Sequence, residues 1–457
     1  MLRVRFDLLV LFVILALLAS IAVVIARGDQ IGLGVRRFAP VNSASSQVNI
    51  TIDFDDPVDP AAAAPHIVFT PPFQASFSRV ESEMFIRPDR PLPPGQTYTV
   101  TIRAGLPALS GRTVKQDVHW QFQVRQPRVL YLAPTEQGIP NLFVVSADGR
   151  ARPQQLTRSE NGIVEYDVTP AGDKLAYTET VYADNRRDGV TQFYLLDPTT
   201  GAARFLYNCD AICTNLRWRP DGGALAFQRV DLDEKVGNGP GAARIWLFDL
   251  AENTAQPLFQ DNQVIGYGPQ WSPDGTRLAF YSPSAGGILI HNFADNHDLT
   301  IPAPDGEPGS FSPDGRWLSY PRGVTLANGN AAVHLMLIQL SGDSFAAHDL
   351  DRPDDPVNEV EAVWRADSQG LIAARQPSLY TVTEGTSLFD VNLATGASTR
   401  LVPEDGNNQE HLALSPDGGA LLFQRDTPAF PQTWLYDLSS HELKRVMDDA
   451  TSARWLP

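Results

Sequence analysis

The sequence predicts an all-β protein, a seven-bladed β-propeller preceded by a β-sandwich and one transmembrane helix. Three observations carry this. A turn-centred motif recurs six times after residue 160, alternating strands fill roughly the first hundred residues beyond the N-terminus, and positions 8–26 are uninterruptedly apolar. With 34 Gly and 36 Pro in 457 residues, and no long amphipathic helical pattern after the first 30, helices are not expected in the body.

The repeating unit is Trp271-Ser-Pro-Asp-Gly-Thr-Arg-Leu-Ala-Phe280. It reads as two strands around a tight turn. Pro273 presets φ at the first corner, Asp274 tolerates the second, and Gly275 supplies the positive φ that a type I turn with a following bulge requires. Close copies follow at Trp218–Phe227, Phe311–Tyr320 and Leu414–Phe423, with degraded ones at Val168–Tyr177 and Trp364–Ala373. The third corner falls at Gly172, Gly222, Gly275, Gly315, Ser368 and Gly418, spaced 50, 53, 40, 53 and 50 apart. Each hairpin is followed by a third strand such as Ile245-Trp-Leu-Phe-Asp249, a short turn and a fourth strand.

Four strands per roughly fifty residues signal a propeller. Six blades are complete, and a seventh is split. Val129–Leu132, Asn141–Val145 and Gln154–Leu156 supply three of its strands, and Ala453-Arg-Trp-Leu-Pro457 supplies the fourth, with Trp455 at the Trp271 position. Such sharing joins first blade to last and leaves no open edge. The phrase Trp-Ser-Pro-Asp-Gly-x-x-Leu-Ala-Phe…Leu-x-x-Asp-Leu resembles the TolB-type, WD-repeat-like propeller across 127–457. That resemblance implies a fold and no particular partner. Related propellers also cap serine peptidases, but a chain ending at its closing strand is expected to leave no room for a hydrolase domain.

Ahead of the ring, Val48–Phe54, Tyr98–Ile102 and Trp120–Val124 alternate apolar and polar residues between turn-rich pieces, as the strands of a sandwich do. The order Phe54-x-x-Pro-Val-Asp, then Pro91-Leu-Pro-Pro-Gly-Gln-Thr-Tyr-Thr-Val100, then Trp120-Gln-Phe122 resembles the bacterial Ig-like domain of the SbsA type. The resemblance implies a spacer or adhesion element without chemistry. The expected division is 1–27 cytoplasmic tail and signal anchor, 28–126 Ig-like sandwich, and 127–457 propeller.

Leu8 to Ala26 follows Arg3 and Arg5, and nineteen residues at 1.5 Å each span roughly 28 Å, close to the ~30 Å hydrocarbon thickness. An uncleaved anchor is therefore expected, with the rest of the chain outside the cytoplasm; cleavage after Ala26 is the alternative. A net charge of -17 argues against nucleic acid as partner. Cys209-Asp-Ala-Ile-Cys213 is expected to be a local disulfide there, since two cysteines build no larger framework.

No Gly-x-Ser-x-Gly, His-Glu-x-x-His, phosphate loop or dinucleotide fingerprint occurs. The histidines are scattered, and the acidic runs miss the spacing of a calcium loop. Neither cofactor nor metal is expected. The longest loops leave the face opposite the Ser-Pro-Asp-Gly turns, and long loops on a rigid scaffold are where binding resides. Asp184, Arg186, Arg187 and Asp188, then Asp233 and Glu234, then Asp354, Asp355 and Glu359 are the candidate binding residues. The reading is a membrane-anchored, non-enzymatic protein that binds a protein or cell-envelope glycan. The alternative is a hydrolase or lyase acting in the propeller channel, to be recognised by clustered His, Glu, Asp and Arg, in place of small and apolar residues, at the inward strand ends.

Overall fold

In the computed structural model, the Ser-Pro-Asp-Gly turn forms as its residues require. Ser272 Oγ donates to Asp274 Oδ1 at 2.6 Å and accepts Arg277 N at 2.9 Å, while Gly275, at φ 72°, donates its N–H to the Ser272 carbonyl. Ser312 with Asp314 and Ser415 with Asp417 repeat the arrangement. In the degraded copy Ala171 replaces the aspartate, and Thr169 Oγ1 turns to Asp173 instead, two places further along. The turns after several third strands are closed in a related way. Asp197 accepts Thr199 N and Thr200 N, and Asp437 accepts Ser439 N and Ser440 N, so the Asp of Leu-x-x-Asp is a turn-former.

The structure describes residues 12–22, 32–148, 150–182, 189–231, 241–304, 306–342, 344–351, 355–376 and 385–457. The chain divides into two compact units, Met1–Arg125 and Gln126–Pro457. The expected spanning helix over Leu8–Ala26 is not supported. Among the described residues no helix is long and apolar enough to cross a membrane. Of the run, residues 12–22 are described and helical, and positions 8–11 and 23–26 lie outside the described residues.

The first unit is a sandwich of two four-stranded sheets. One contains Val35–Ala39, Ile50–Phe54, Glu83–Pro88 and Ala75–Val80; the other contains Asn42–Ala44, Val118–Val124, Thr97–Ile102 and Ile67–Thr70. The alternation in sequence becomes alternation in burial. Ile50, Ile52, Phe54, Tyr98, Val100, Ile102, Trp120, Phe122 and Val124 all face one shared core. Arg112 ties the Asp55 and Asp56 turn down, at 3.0 and 3.2 Å.

The second unit is all antiparallel meanders, and their order makes it a β-propeller. Ile163–Val168 begins one four-stranded sheet, Ile212–Trp218 the next, Tyr267–Trp271 the next, and Asn408–Leu414 another. The C-terminal strand Thr451–Leu456 joins Arg128–Pro134, Pro140–Ser146 and Gln154–Gln155, with Trp455 opposite Val129. Seven separate blades are not what the hydrogen bonding gives. Two meanders, Ser310–Asp349 and Asn358–Val402, fuse into one eight-stranded sheet through a parallel pairing of Val333 with Asn358. The cause is local: Asn358 Oδ1 accepts Val333 N at 3.1 Å and draws the two strands together. Among the described residues no sheet closes on itself.

Apolar cores lie between successive meanders. Leu130, Tyr166, Leu175 and Leu456 make one, Phe193, Trp218 and Phe227 the next, and Val129, Leu422 and Trp455 the last. Tryptophans at the ends of first strands add a polar tie between repeats. Trp271 Nε1 donates to Arg217 O at 3.3 Å, Trp364 Nε1 to Ser310 O at 3.0 Å, and Trp455 Nε1 to Ala413 O at 2.9 Å. In each case the acceptor lies on the first strand of the preceding meander, so the indole both packs and donates.

Candidate functional site

Two sets of charged residues stand out, and the fused sheet makes the first. The eleven-residue strand Ala331–Ser341 is rich in buried Leu, Met and Ile, yet carries His334 at 0% exposure. Neighbouring chain brings Asp349 and Asp351 from one side and Glu359 and Arg375 from the other. Arg375 Nε donates to Glu359 Oε1 at 2.5 Å, and Arg375 Nη2 to Asp351 Oδ1 at 3.4 Å. Asp351 Oδ2 accepts Leu335 N at 3.1 Å. His334 Nε2 lies 3.0 Å from the Asp355 carbonyl oxygen, and its Nδ1 lies 3.5 Å from Asp349 Oδ1. Arg322 holds the other oxygen of Asp349 at 3.4 Å.

Burial dominates the electrostatics there. It pushes the Glu359 carboxyl up to about 7 against the pull of Arg375, and the neighbouring Asp351 carboxylate adds to the rise. Burial raises Asp351 as well, opposed by the Leu335 N–H and Arg375. Arg375 also lies over the Phe389 ring, 5.1 Å from its centroid. A groove of about 560 Å³ runs beside the cluster between the two meanders, lined by Trp317, His348, Asp349, Ser368 and Leu393 among others.

The second set lies on the innermost strands. Glu165 Oε2 accepts Asn215 N at 3.0 Å on the adjacent first strand, and Glu361 accepts His411 N at 2.6 Å and Leu412 N at 3.1 Å in the same way. Asn215 and His411 sit at bulges with φ 58° and 55°, and these bulged N–H groups are the ones the carboxylates of the preceding repeat take up. Asp167 accepts Trp218 N at 2.7 Å and Arg454 Nη1 at 2.6 Å. Burial raises Glu165 against the pull of Arg217, and lowers Arg217 itself, with Arg454 adding to that lowering. The inner wall therefore presents Glu165, Asp167, Arg217 and Arg454 together at this sector.

Of the residues expected to bind, Asp184, Arg186, Arg187, Asp188, Asp233, Glu234 and Asp354 lie outside the described residues. Asp355 is half-buried and offers its carbonyl oxygen to His334. Glu359 belongs to the strand Asn358–Trp364, is 2% exposed, and serves a buried ion pair rather than an exposed loop. Cys209 and Cys213 are joined by a disulfide. His334, Arg375, Glu165, Asp167, Arg217 and Arg454 are not singled out by sequence reasoning. The one available signal is His334, a lone polar residue inside Val333-His-Leu-Met-Leu-Ile338. No metal is expected from the sequence, and the fold brings together His334, Asp349 and Asp351, whose ligand atoms lie within 4.8 Å of one another.

Residues 29–124 match the family of bacterial Ig-like domains. A curated relative, the uncharacterized peptidase YuxL of Bacillus subtilis (strain 168), is 24% identical over 216 residues, covering 46% of this chain and 30% of the relative. The match thus spans less than a third of that protein. Prolyl oligopeptidase B from Galerina marginata, bound to a 35mer hydrolysis and macrocyclization substrate, is similar in structure at a TM-score of 0.52 and 12% identity, covering 72% of this chain and 52% of that one. TolB from Acinetobacter baumannii is similar at a TM-score of 0.43 and 13% identity, over 86% of this chain and 83% of that one. The structural likenesses are of fold. A relative named as a peptidase corrects the expectation of a protein without enzymatic activity, and the shared fold is one that peptidases use.

Proposed function

We propose that this chain is the peptide-handling propeller of an extracytoplasmic hydrolase, admitting a peptide to the inner strands. The observation that carries the reading is the grouping of Glu165, Asp167, Arg217 and Arg454 on the innermost strands, where small or apolar residues would fit a passive scaffold. Guanidinium groups suit peptide carbonyls and a C-terminal carboxylate, and carboxylates suit N–H groups and a free amine. The relative named as a peptidase supports the same direction. A Cys209–Cys213 disulfide suits an oxidising compartment. The Ig-like unit, of the SbsA type by its motif order, then acts as a spacer toward a protein or cell-envelope glycan.

The experiment is incubation of the purified full chain with a mixed peptide library, read by mass spectrometry for cleavage and by fluorescence anisotropy for binding. Saturable peptide binding that Arg217→Met weakens by about tenfold supports the reading. Absence of both cleavage and binding across the library would sink it.

A further inference from the structure

We infer that His334, Asp349 and Asp351 form a site for one divalent transition-metal ion of the zinc and manganese class. This goes beyond the peptide reading and does not depend on it. The three residues offer one imidazole nitrogen and two carboxylate oxygens, all within 4.8 Å of one another. An imidazole among the ligands points away from calcium and magnesium, which take oxygen sets, and toward zinc or manganese.

The second observation is the state of His334. Its side chain is fully buried, and Nδ1 makes no hydrogen bond among the described residues. Nε2 faces the Asp355 carbonyl oxygen at 3.0 Å, which only an N–H can satisfy. A neutral ring with its proton on Nε2 then aims the Nδ1 lone pair at Asp349 Oδ1, 3.5 Å away. Asp349 Oδ1, on a side chain 26% exposed, also accepts Asp351 N at 3.2 Å, and the contact between its remaining lone pairs and that of the buried ring is one that a cation between them would turn favourable.

The surroundings are those of an oriented ligand set. Asp355 O fixes the ring, Arg322 holds the second oxygen of Asp349, and the Leu335 N–H and Arg375 hold Asp351. Such outer contacts fix tautomer and orientation at metal sites. Charge permits a cation as well: three carboxylates, counting Glu359, face the two guanidiniums of Arg322 and Arg375. Asp349 also lines the adjoining groove, which gives an ion a way in from solvent. The competing arrangement is a protonated His334 bridging Asp349 and the Asp355 carbonyl with no metal at all.

The test uses the full chain, stripped with EDTA and titrated calorimetrically with zinc chloride and, separately, manganese chloride. The expected result is saturable binding of one ion per chain for at least one metal, with a raised melting temperature. Asp349→Asn should weaken it by about ten- to a hundredfold, and His119→Ala, an exposed histidine of the other unit, should leave it unchanged. His334→Gln should abolish it; should that variant fail to fold by circular dichroism, Asp349→Asn decides alone, its side chain being 26% exposed. No saturable binding of either metal, or binding undiminished in Asp349→Asn, overturns the assignment. Since none of these readouts uses a peptide, failure here is distinct from failure of the proposed function.

Discussion

Arg454 Nη1 donates to Asp167 Oδ1 at 2.6 Å, and the two residues lie 287 positions apart. The pair joins the last strand of the propeller to the first strand of the meander beginning at Ile163. Asp167 uses its other oxygen on Trp218 N, so one carboxylate holds three successive repeats. Arg454→Met keeps the packing stem but removes the charge, and should cost about 1–2 kcal/mol, the arginine being partly exposed. Asp167→Ala should cost more, because a buried Trp218 N–H loses its acceptor. Guanidinium unfolding of both variants checks the order; equal losses would refute it.

The tryptophan ties predict a graded series. Trp364→Phe and Trp455→Phe each remove one indole donor and leave a carbonyl short, at a hydrogen-bond cost of about 0.5–1.5 kcal/mol. Trp218 occupies the same place in its repeat, but its Nε1 has no hydrogen-bond partner among the described residues. Trp218→Phe should therefore lose only ring volume, and its unfolding midpoint should drop least of the three.

Arg375 and Glu359 are a buried pair with side chains 13% and 0% exposed. Arg375→Met leaves Glu359 without its cation and should destabilise by up to about 3–5 kcal/mol well above pH 7, and by less near neutral pH, where a carboxyl held at about 7 is already partly protonated. Adding Glu359→Met to that variant should restore most of the loss, since an apolar pair of similar volume avoids both desolvation costs. A double-mutant cycle by chemical denaturation measures the coupling; purely additive losses would contradict the account.

Asp437 titrates low, held at about 2 by the hydroxyl of Ser439 and the N–H groups of Ser440 and Ser439. Its folded value lies below its ordinary 3.8, so its stabilising share is present above that value and disappears as pH falls toward 2. Asp437→Asn keeps an acceptor but no charge, and its acid unfolding curve should be flatter over that window. Comparison of wild-type and variant unfolding from pH 5 to pH 2 is the check.

Much of this was readable because the repeat is a local object. The positive φ at Gly172, Gly222, Gly275, Gly315, Ser368 and Gly418 follows from four consecutive residues, and so do the buried alternations of Ile50–Phe54 and Val118–Val124. The apolar run at 8–26 yields no spanning helix among the described residues, which cover only 12–22 of it. His334, Glu359 and Arg375 were hidden for the opposite reason. Their partners lie 15 to 24 residues away, and sequence gives no sign that Asn358 will draw two meanders into one sheet. The inner-strand carboxylates escaped as well, since their acceptor role depends on bulges in the following repeat.

Because Leu456 pairs with Arg128, the two ends of the second unit are neighbours in one sheet. The order in which its meanders are strung together is then interchangeable. A gene that links residue 457 back to 127 and opens anew between Thr199 and Thr200, in an exposed turn, should yield a circularly permuted domain with the same spectrum and a similar melting point.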